Sequence, residues 1–237
     1  MKTIGLIGGM SWESTLLYYQ TINREVARRC GGLHSAKILM HSLDFEEVVR
    51  GQRAGDWDGL ARLLHGAARG LAAAGADCLL ICTNTMHKVA AEVGADLGLP
   101  LLHIADVTGA AIRAQGLRRV ALLGTRYTME QPFYREHLAR MGIDCLVPTE
   151  DHRVEVHRII FEELCRGVMR DESRRALQDI VAHAAAAGAQ GVVLGCTELP
   201  LLLQAADVPM PLFDTTALHA LAAADFALAG AAAPAPV

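Results

Sequence analysis

The sequence predicts an α/β protein of two pseudo-symmetric, doubly wound halves, each with a four-stranded, mostly parallel sheet. Three observations carry this reading. Short apolar runs alternate with helical-period segments along all 237 residues, the pattern of successive βαβ units. One segment occurs twice without a gap: Gly75-Ala76-Asp77-Cys78-Leu79-Leu80-Ile81-Cys82-Thr83-Asn84-Thr85 lies on Gly188-Ala189-Gln190-Gly191-Val192-Val193-Leu194-Gly195-Cys196-Thr197-Glu198. Gly75 and Gly188 both fall where a helix needs a glycine just past its end.

Taken in order, the first-half strands are expected at 3–7, 37–42, 77–82 and 100–104, each a short apolar run. Helices at 13–29, 57–74 and 86–97 lie between them, and the polar, glycine-spaced stretch 50–55 reads as a loop. The second half places strands at 119–123, 143–148, 191–195 and 210–213, with helices at 130–140, 154–165 and 172–187. Residues 3–9 resemble 119–125, so the duplication extends beyond the central motif. A last helix at 215–229 should pack back on the first half, giving subdomains 1–105 plus 214–237 and 106–213. The Ala/Pro tail 230–237 lacks the apolar pattern to fold and is expected to fray.

Composition removes several function classes. A hydrophobic content of 52% supports a substantial core, and a net charge of −4 without any basic stripe gives no footprint for nucleic acid. The start, Met1-Lys2-Thr3-Ile4-Gly5-Leu6, has no signal-peptide layout, and no apolar run reaches the roughly 18–20 residues of a membrane span. A cytoplasmic location without membrane association is the expectation. The six cysteines are scattered, contain no C-x-x-C pair and read as reduced thiols rather than disulfides or metal ligands.

In doubly wound sheets ligands bind beyond the carboxyl ends of the strands. Gly8, Gly9, Thr83, Thr125 and Cys196 all fall at such ends. In the repeat Thr83 stands opposite Cys196, and Cys82 opposite Gly195. Two matching halves that each offer one nucleophile-class side chain point to a site approached from two faces, with different chemistry on each. A thiol beside the backbone N–H groups of a helix start should be biased toward thiolate. Thr83, Asn84 or Thr85 could each cap the following helix, and that is compatible with Asn84 and Thr85 contacting an anionic ligand at its N-terminus. Cys82, one residue out of register, should point into packing, and His87 should lie behind the site or on a helix surface. Gly8-Gly9-Met10-Ser11 is a tight strand-to-helix turn, not G-x-G-x-x-G, and it suits backbone contact with a small carboxylate through Met10 and Ser11. Gln52 lies on the ligand side, whereas Arg153, Arg158 and Arg166 read as a solvated face.

The segments Ile4-Gly5-Leu6-Ile7-Gly8-Gly9-Met10-Ser11-Trp12, Cys82-Thr83-Asn84-Thr85-Met86-His87, Leu122-Leu123-Gly124-Thr125 and Gly195-Cys196-Thr197-Glu198 resemble the aspartate/glutamate racemase superfamily over nearly the whole chain. The resemblance implies two Rossmann-like subdomains with the active site between them, no cofactor and no metal, a free amino acid as substrate, and a homodimer. It implies Thr83 and Cys196 as the acid–base pair, with Met10, Ser11, Gln52, Asn84, Thr85, Thr125, Thr197 and Glu198 binding substrate. Most aspartate racemases have cysteine where this chain has Thr83, so the resemblance is to the subgroup of L-aspartate/glutamate-type, broad-specificity racemases that pair threonine with cysteine. The basic residues some aspartate racemases use for the side-chain carboxylate would align near Glu47 and Cys165, neither of which is basic. The same superfamily contains hydantoin racemase, maleate isomerase and arylmalonate decarboxylase. A lyase or isomerase of those kinds, and a non-catalytic amino-acid-binding protein, therefore stand as alternatives to a racemase favouring the L-enantiomer.

Overall fold

The computed structural model describes residues 1–229; the tail at 230–237 lies outside the described residues. The chain forms two compact units, Met1–His103 with the segment from His219 onward, and Ile104–Leu218.

The first unit begins with β1 (Thr3–Gly8), α1 (Trp12–Cys30), β2 (Lys37–Ser42), α2 (Phe45–Ala54), α3 (Trp57–Ala73) and β3 (Cys78–Ile81). A 3-10 turn at Thr85–Val89 follows, then α4 (Ala90–Gly94). The sheet is parallel in the order β2-β1-β3, with Thr3 opposite Lys37 and Ile4 opposite Cys78. Side-chain alternation divides its residues between two layers. Ile4, Leu6, Cys78 and Leu80 pack against Tyr18, Ile22 and Val26 of α1 and against Ala220, Ala223, Ala224 and Ala227 of the last helix. Ile7, Leu79 and Ile81 pack against Leu60, Leu64, Ala67, Ala68 and Leu71 of α3.

Two expectations for this unit are corrected. The strand foreseen at 100–104 is a single bridge between Leu79 and Leu101, so the unit has three strands rather than four. Pro100 has no N–H to donate, and the chain turns into a helix at Ile104, which leaves only the Leu79 N–H to Pro100 carbonyl and Leu102 N–H to Leu79 carbonyl bonds, both 2.9 Å. Residues 50–54 of the foreseen loop are the end of α2. The Asp44 carboxylate accepts from Glu46 N–H at its start and Gly55 closes it in the left-handed region, while Gly51 gives Leu60 room: a β-carbon there would lie 2.8 Å from that side chain.

The second unit contains α5 (Ile104–Ala114), β4 (Arg119–Gly124), α6 (Arg126–Glu130), α7 (Pro132–Arg140), β5 (Asp144–Leu146) and α8 (Glu150–Arg158). It continues with α9 (Asp171–Ala186), β6 (Val192–Gly195), α10 (Leu199–Leu202) and β7 (Leu212–Asp214). The last helix, α11 (Thr215–Leu228), starts here and passes into the first unit at His219. The four strands are parallel in the order β5-β4-β6-β7. Val120, Leu122 and Val193 pack on Ile112 of α5 and Tyr134 and Leu138 of α7; Leu123, Val192 and Leu194 pack on Val156 of α8 and Leu177, Ile180 and Val181 of α9.

The helix expected at 154–165 starts earlier and changes pitch. After Arg158 it becomes a π-helical turn, Ile159–Glu163, then a 3-10 turn ended by Gly167. The wider turn brings Glu163 into the interior, where it accepts from Arg158 at 2.7 Å and from Ser173 Oγ at 2.6 Å. Arg158, read as part of a solvated face, thus pairs with both Glu155 and the buried Glu163. Among the described residues no helix is long and apolar enough to cross a membrane.

Candidate active site

In the first unit the carboxyl ends of β1 and β3 lie side by side, because Ile7 pairs with Ile81. Beyond β1 the chain reverses at Gly9, where a φ of +86° and the Leu43 carbonyl, standing where a β-carbon would go, exclude any side chain. The turn is closed internally. Gly9 N–H donates to Thr15 Oγ1 at 2.9 Å, that hydroxyl donates to the Ser11 carbonyl at 2.8 Å, and Ser11 Oγ caps α1 by accepting from Ser14 N–H. Ser11 is buried, and the Met10 side chain packs into the apolar layer under α3, so Met10 has only its backbone to offer a ligand.

At the end of β3 the side chains sort by register. Cys82 is buried in the layer under α1, and burial pushes its thiol above the ordinary range, so it belongs to the core. Thr83 is half-buried; Asn84 and Thr85 are buried. Asn84 occupies the N-cap position of the 3-10 turn, yet its side chain makes no capping bond. Gln52, on the last turn of α2, is buried and donates Nε2–H to Met86 Sδ at 3.3 Å, which brings it to the same turn. His87 is buried as well, and its Nδ1 lies 2.8 Å from the Thr83 carbonyl.

In the second unit β4 and β6 end together at Gly124 and Gly195, which pair in register. They approach so closely that a β-carbon on Gly124 would lie 2.8 Å from the Gly195 carbonyl oxygen. Thr125 then caps α6, accepting from Thr128 N–H at 3.3 Å, and is nearly buried. Cys196 is 6% exposed, and its S–H donates to Glu198 Oε2 at 3.0 Å. Thr197 Oγ1 donates to the same oxygen at 2.7 Å.

This geometry corrects the expectation of a resting thiolate. Burial, and after it the negative charge of Glu198, pushes the Cys196 thiol well above its usual value. The helix after it, α10, has four residues and too little dipole to compensate. The resting group is a thiol with a carboxylate placed to take its proton. Sequence reasoning put Glu198 against substrate and did not foresee its bond to Cys196. It also missed Thr15, whose signal is its i, i+4 spacing from Ser11, while His87 takes the position behind the turn rather than the helix-surface alternative.

Comparison with known proteins places these observations in a family. A family profile described as Asp/Glu/hydantoin racemase matches residues 7–223. The structure is similar to that of a Yersinia pestis protein assigned as an Asp/Glu racemase, at 53% identity over 96% of this chain and 100% of the other, with a TM-score of 0.91. It is also similar to an aspartate racemase homologue from Pyrococcus horikoshii, at 34% identity over 96% and 99% of the two chains, TM-score 0.83. The Picrophilus torridus aspartate racemase shares the fold, with 17% identity over 96% and 94% of the chains and a TM-score of 0.75.

Proposed function

The chain belongs to the Asp/Glu/hydantoin racemase family, and on that premise we propose that it racemises a polar amino acid, aspartate, glutamate or a close relative, without a cofactor. The observation that carries the mechanism is the Cys196 S–H bond to Glu198 at the end of β6. Glu198 takes the thiol proton, and the resulting thiolate takes the α-proton of the substrate. Thr83, the repeat partner of Cys196, returns a proton from its hydroxyl to the other face of the carbanion. The threonine alkoxide recovers a proton through solvent from the Glu198 carboxylic acid, which restores every group to its starting state.

Abstraction of an α-proton leaves an enolate that needs oriented donors. The backbone at Met10 and Ser11, with Asn84 and Thr85, supplies them in this reading. Thr197 has committed its hydroxyl proton to Glu198, so toward a ligand its oxygen is an acceptor suited to the substrate ammonium group. A hydroxyl gives up its proton far less readily than a thiol, so the two directions are unequal. The enantiomer presenting its α-hydrogen to Cys196, the L form by family pattern, exchanges faster.

The test is incubation of the protein with L- and D-amino acids in D₂O, without pyridoxal phosphate, following α-proton loss by NMR together with chiral analysis. Exchange with L-aspartate or L-glutamate that disappears in Cys196→Ser supports the reading. Silence across both enantiomeric panels, with turnover of a malonate instead, would replace it by a decarboxylase, for which one thiol suffices.

A further inference from the structure

We propose that His87 is a positioning residue: its imidazole takes the place of a backbone hydrogen bond at the Thr83 carbonyl and fixes the turn that presents Thr83, Asn84 and Thr85. In an α-helix that carbonyl would accept the N–H four residues on, which belongs to His87. Here the chain leaves β3 into a 3-10 turn, and the His87 N–H goes three residues back, to the Asn84 carbonyl at 3.1 Å. The Thr83 carbonyl is satisfied by the ring of that same residue, through Nδ1 at 2.8 Å. A carbonyl only accepts, so Nδ1 carries the proton and His87 is the Nδ1–H tautomer.

The ring is held from behind. It stands edge-on to His103, centroids 4.6 Å apart, and to His219, 5.6 Å apart. His219 is itself fixed by two bonds. Its Nε2 faces the Leu102 carbonyl at 2.7 Å and must donate, so its Nδ1 accepts from the Tyr18 hydroxyl at 2.9 Å. The two buried histidines therefore hold opposite tautomers, each imposed by a carbonyl. His87 is 3% exposed, so bulk water does not reach its ring. Removing the ring either leaves the half-buried Thr83 carbonyl without this donor or lets the turn relax to α geometry. Relaxation would send the N–H of residue 87 back to Thr83 and turn the Asn84 and Thr85 peptides away from their present directions.

The catalytic meaning of this turn rests on the racemase reading; the tautomer and the turn geometry do not. The experiment joins long-range ¹H–¹⁵N spectra of histidine-labelled protein to three variants. His87→Asn places an amide N–H where Nδ1 sits, His87→Gln places it near Nε2, and His87→Leu provides none. The expected spectrum shows His87, assigned by its loss in the variants, in the Nδ1–H form and His219 in the Nε2–H form. Exchange of the amino-acid α-proton should fall at least about tenfold in His87→Gln and His87→Leu, mainly in kcat, and be largely restored in His87→Asn. An Nε2–H signal for His87, or equal activity of the Asn and Gln variants, would overturn the proposal. Should His87→Leu not fold, the wild-type spectrum and the Asn/Gln pair still decide it. Should no amino acid exchange with any form, the racemase reading fails, while the His87 tautomer and the Thr83 carbonyl ¹³C shift in His87→Asn against His87→Gln still test the positioning role.

Discussion

Acid should weaken the first unit through one buried histidine. His219 is fully buried, and burial lowers its pKa from 6.5 to about 4. Its two bonds also require the neutral ring, since protonating Nδ1 forces Tyr18 to accept where it now donates and puts a full charge among Tyr18, His87 and apolar side chains. In the unfolded chain His219 gains its proton as the pH falls through 6.5, whereas in the fold it gains none until about 4. The unfolded state thus binds more protons across that window. The contribution to stability is complete above 6.5, declines as the pH falls and is gone below about 4. A difference of about 2.5 pH units at ~1.4 kcal/mol each gives roughly 3 kcal/mol, a large share of a typical folding free energy. Urea unfolding at intervals from neutral pH to about pH 4 measures it, with His219→Gln as reference, because glutamine can keep the bond to the Leu102 carbonyl and cannot titrate. His157, lowered in the same direction by burial, is common to both proteins and cancels. The wild type should lose stability more steeply than the variant over this window, and parallel curves would refute the reasoning.

Other outcomes follow from the strand ends. Glu198→Gln should slow α-proton exchange by about a hundredfold or more, as for loss of a general base, yet accelerate alkylation of Cys196, because the charge holding the thiol protonated is gone. Activity retained with unchanged alkylation would contradict the role given to Glu198. Thr83→Cys should bring L and D turnover closer together in chiral assays of initial rate; an unchanged ratio would remove the unequal-pair idea. Gly124→Ala should cost roughly 1–3 kcal/mol in denaturant unfolding, since its β-carbon meets the Gly195 backbone at 2.8 Å and backbone yields less than a side chain.

Much of this architecture was legible because parallel strands buried on both faces are written as continuous apolar runs, and 77–82 and 191–195 are such runs. Parallel pairing, the core position of Cys82 and the strand-end placement of Thr83 and Cys196 all follow from register. The misreadings have a shared cause. Residues 100–104 look like a strand locally, but whether an edge segment pairs depends on where Pro100 and the start of α5 fall in space. Gln52 looked like a loop residue because two glycines flank it, but Gly51 is a helical residue whose missing side chain makes room for Leu60. Neither contact has a local signature. The protonation of Cys196 was misread for a related reason: the motif shows a helix start after the thiol, but not that the helix is four residues long or that Glu198 turns back two positions.

The repeat makes the difference between the halves informative. Both units end a strand in a turn and support that turn with a side chain reaching back. In the first unit the supporting group is a donor, the His87 ring, acting on the Thr83 backbone. In the second it is an acceptor, Glu198, acting on the Cys196 side chain. A donor aimed at a carbonyl fixes geometry but cannot activate a hydroxyl, whereas a carboxylate in contact with a thiol can remove its proton. On the proposed mechanism, the chemical inequality between threonine and cysteine is reinforced by the groups beside them. Exchanging Thr83 for cysteine alone should narrow the gap between enantiomers without closing it, because the new thiol would have no carboxylate in the role Glu198 plays. Full symmetry would require a base next to the new thiol, and a Thr83→Cys variant with equal L and D rates would show that Glu198 contributes nothing to the inequality.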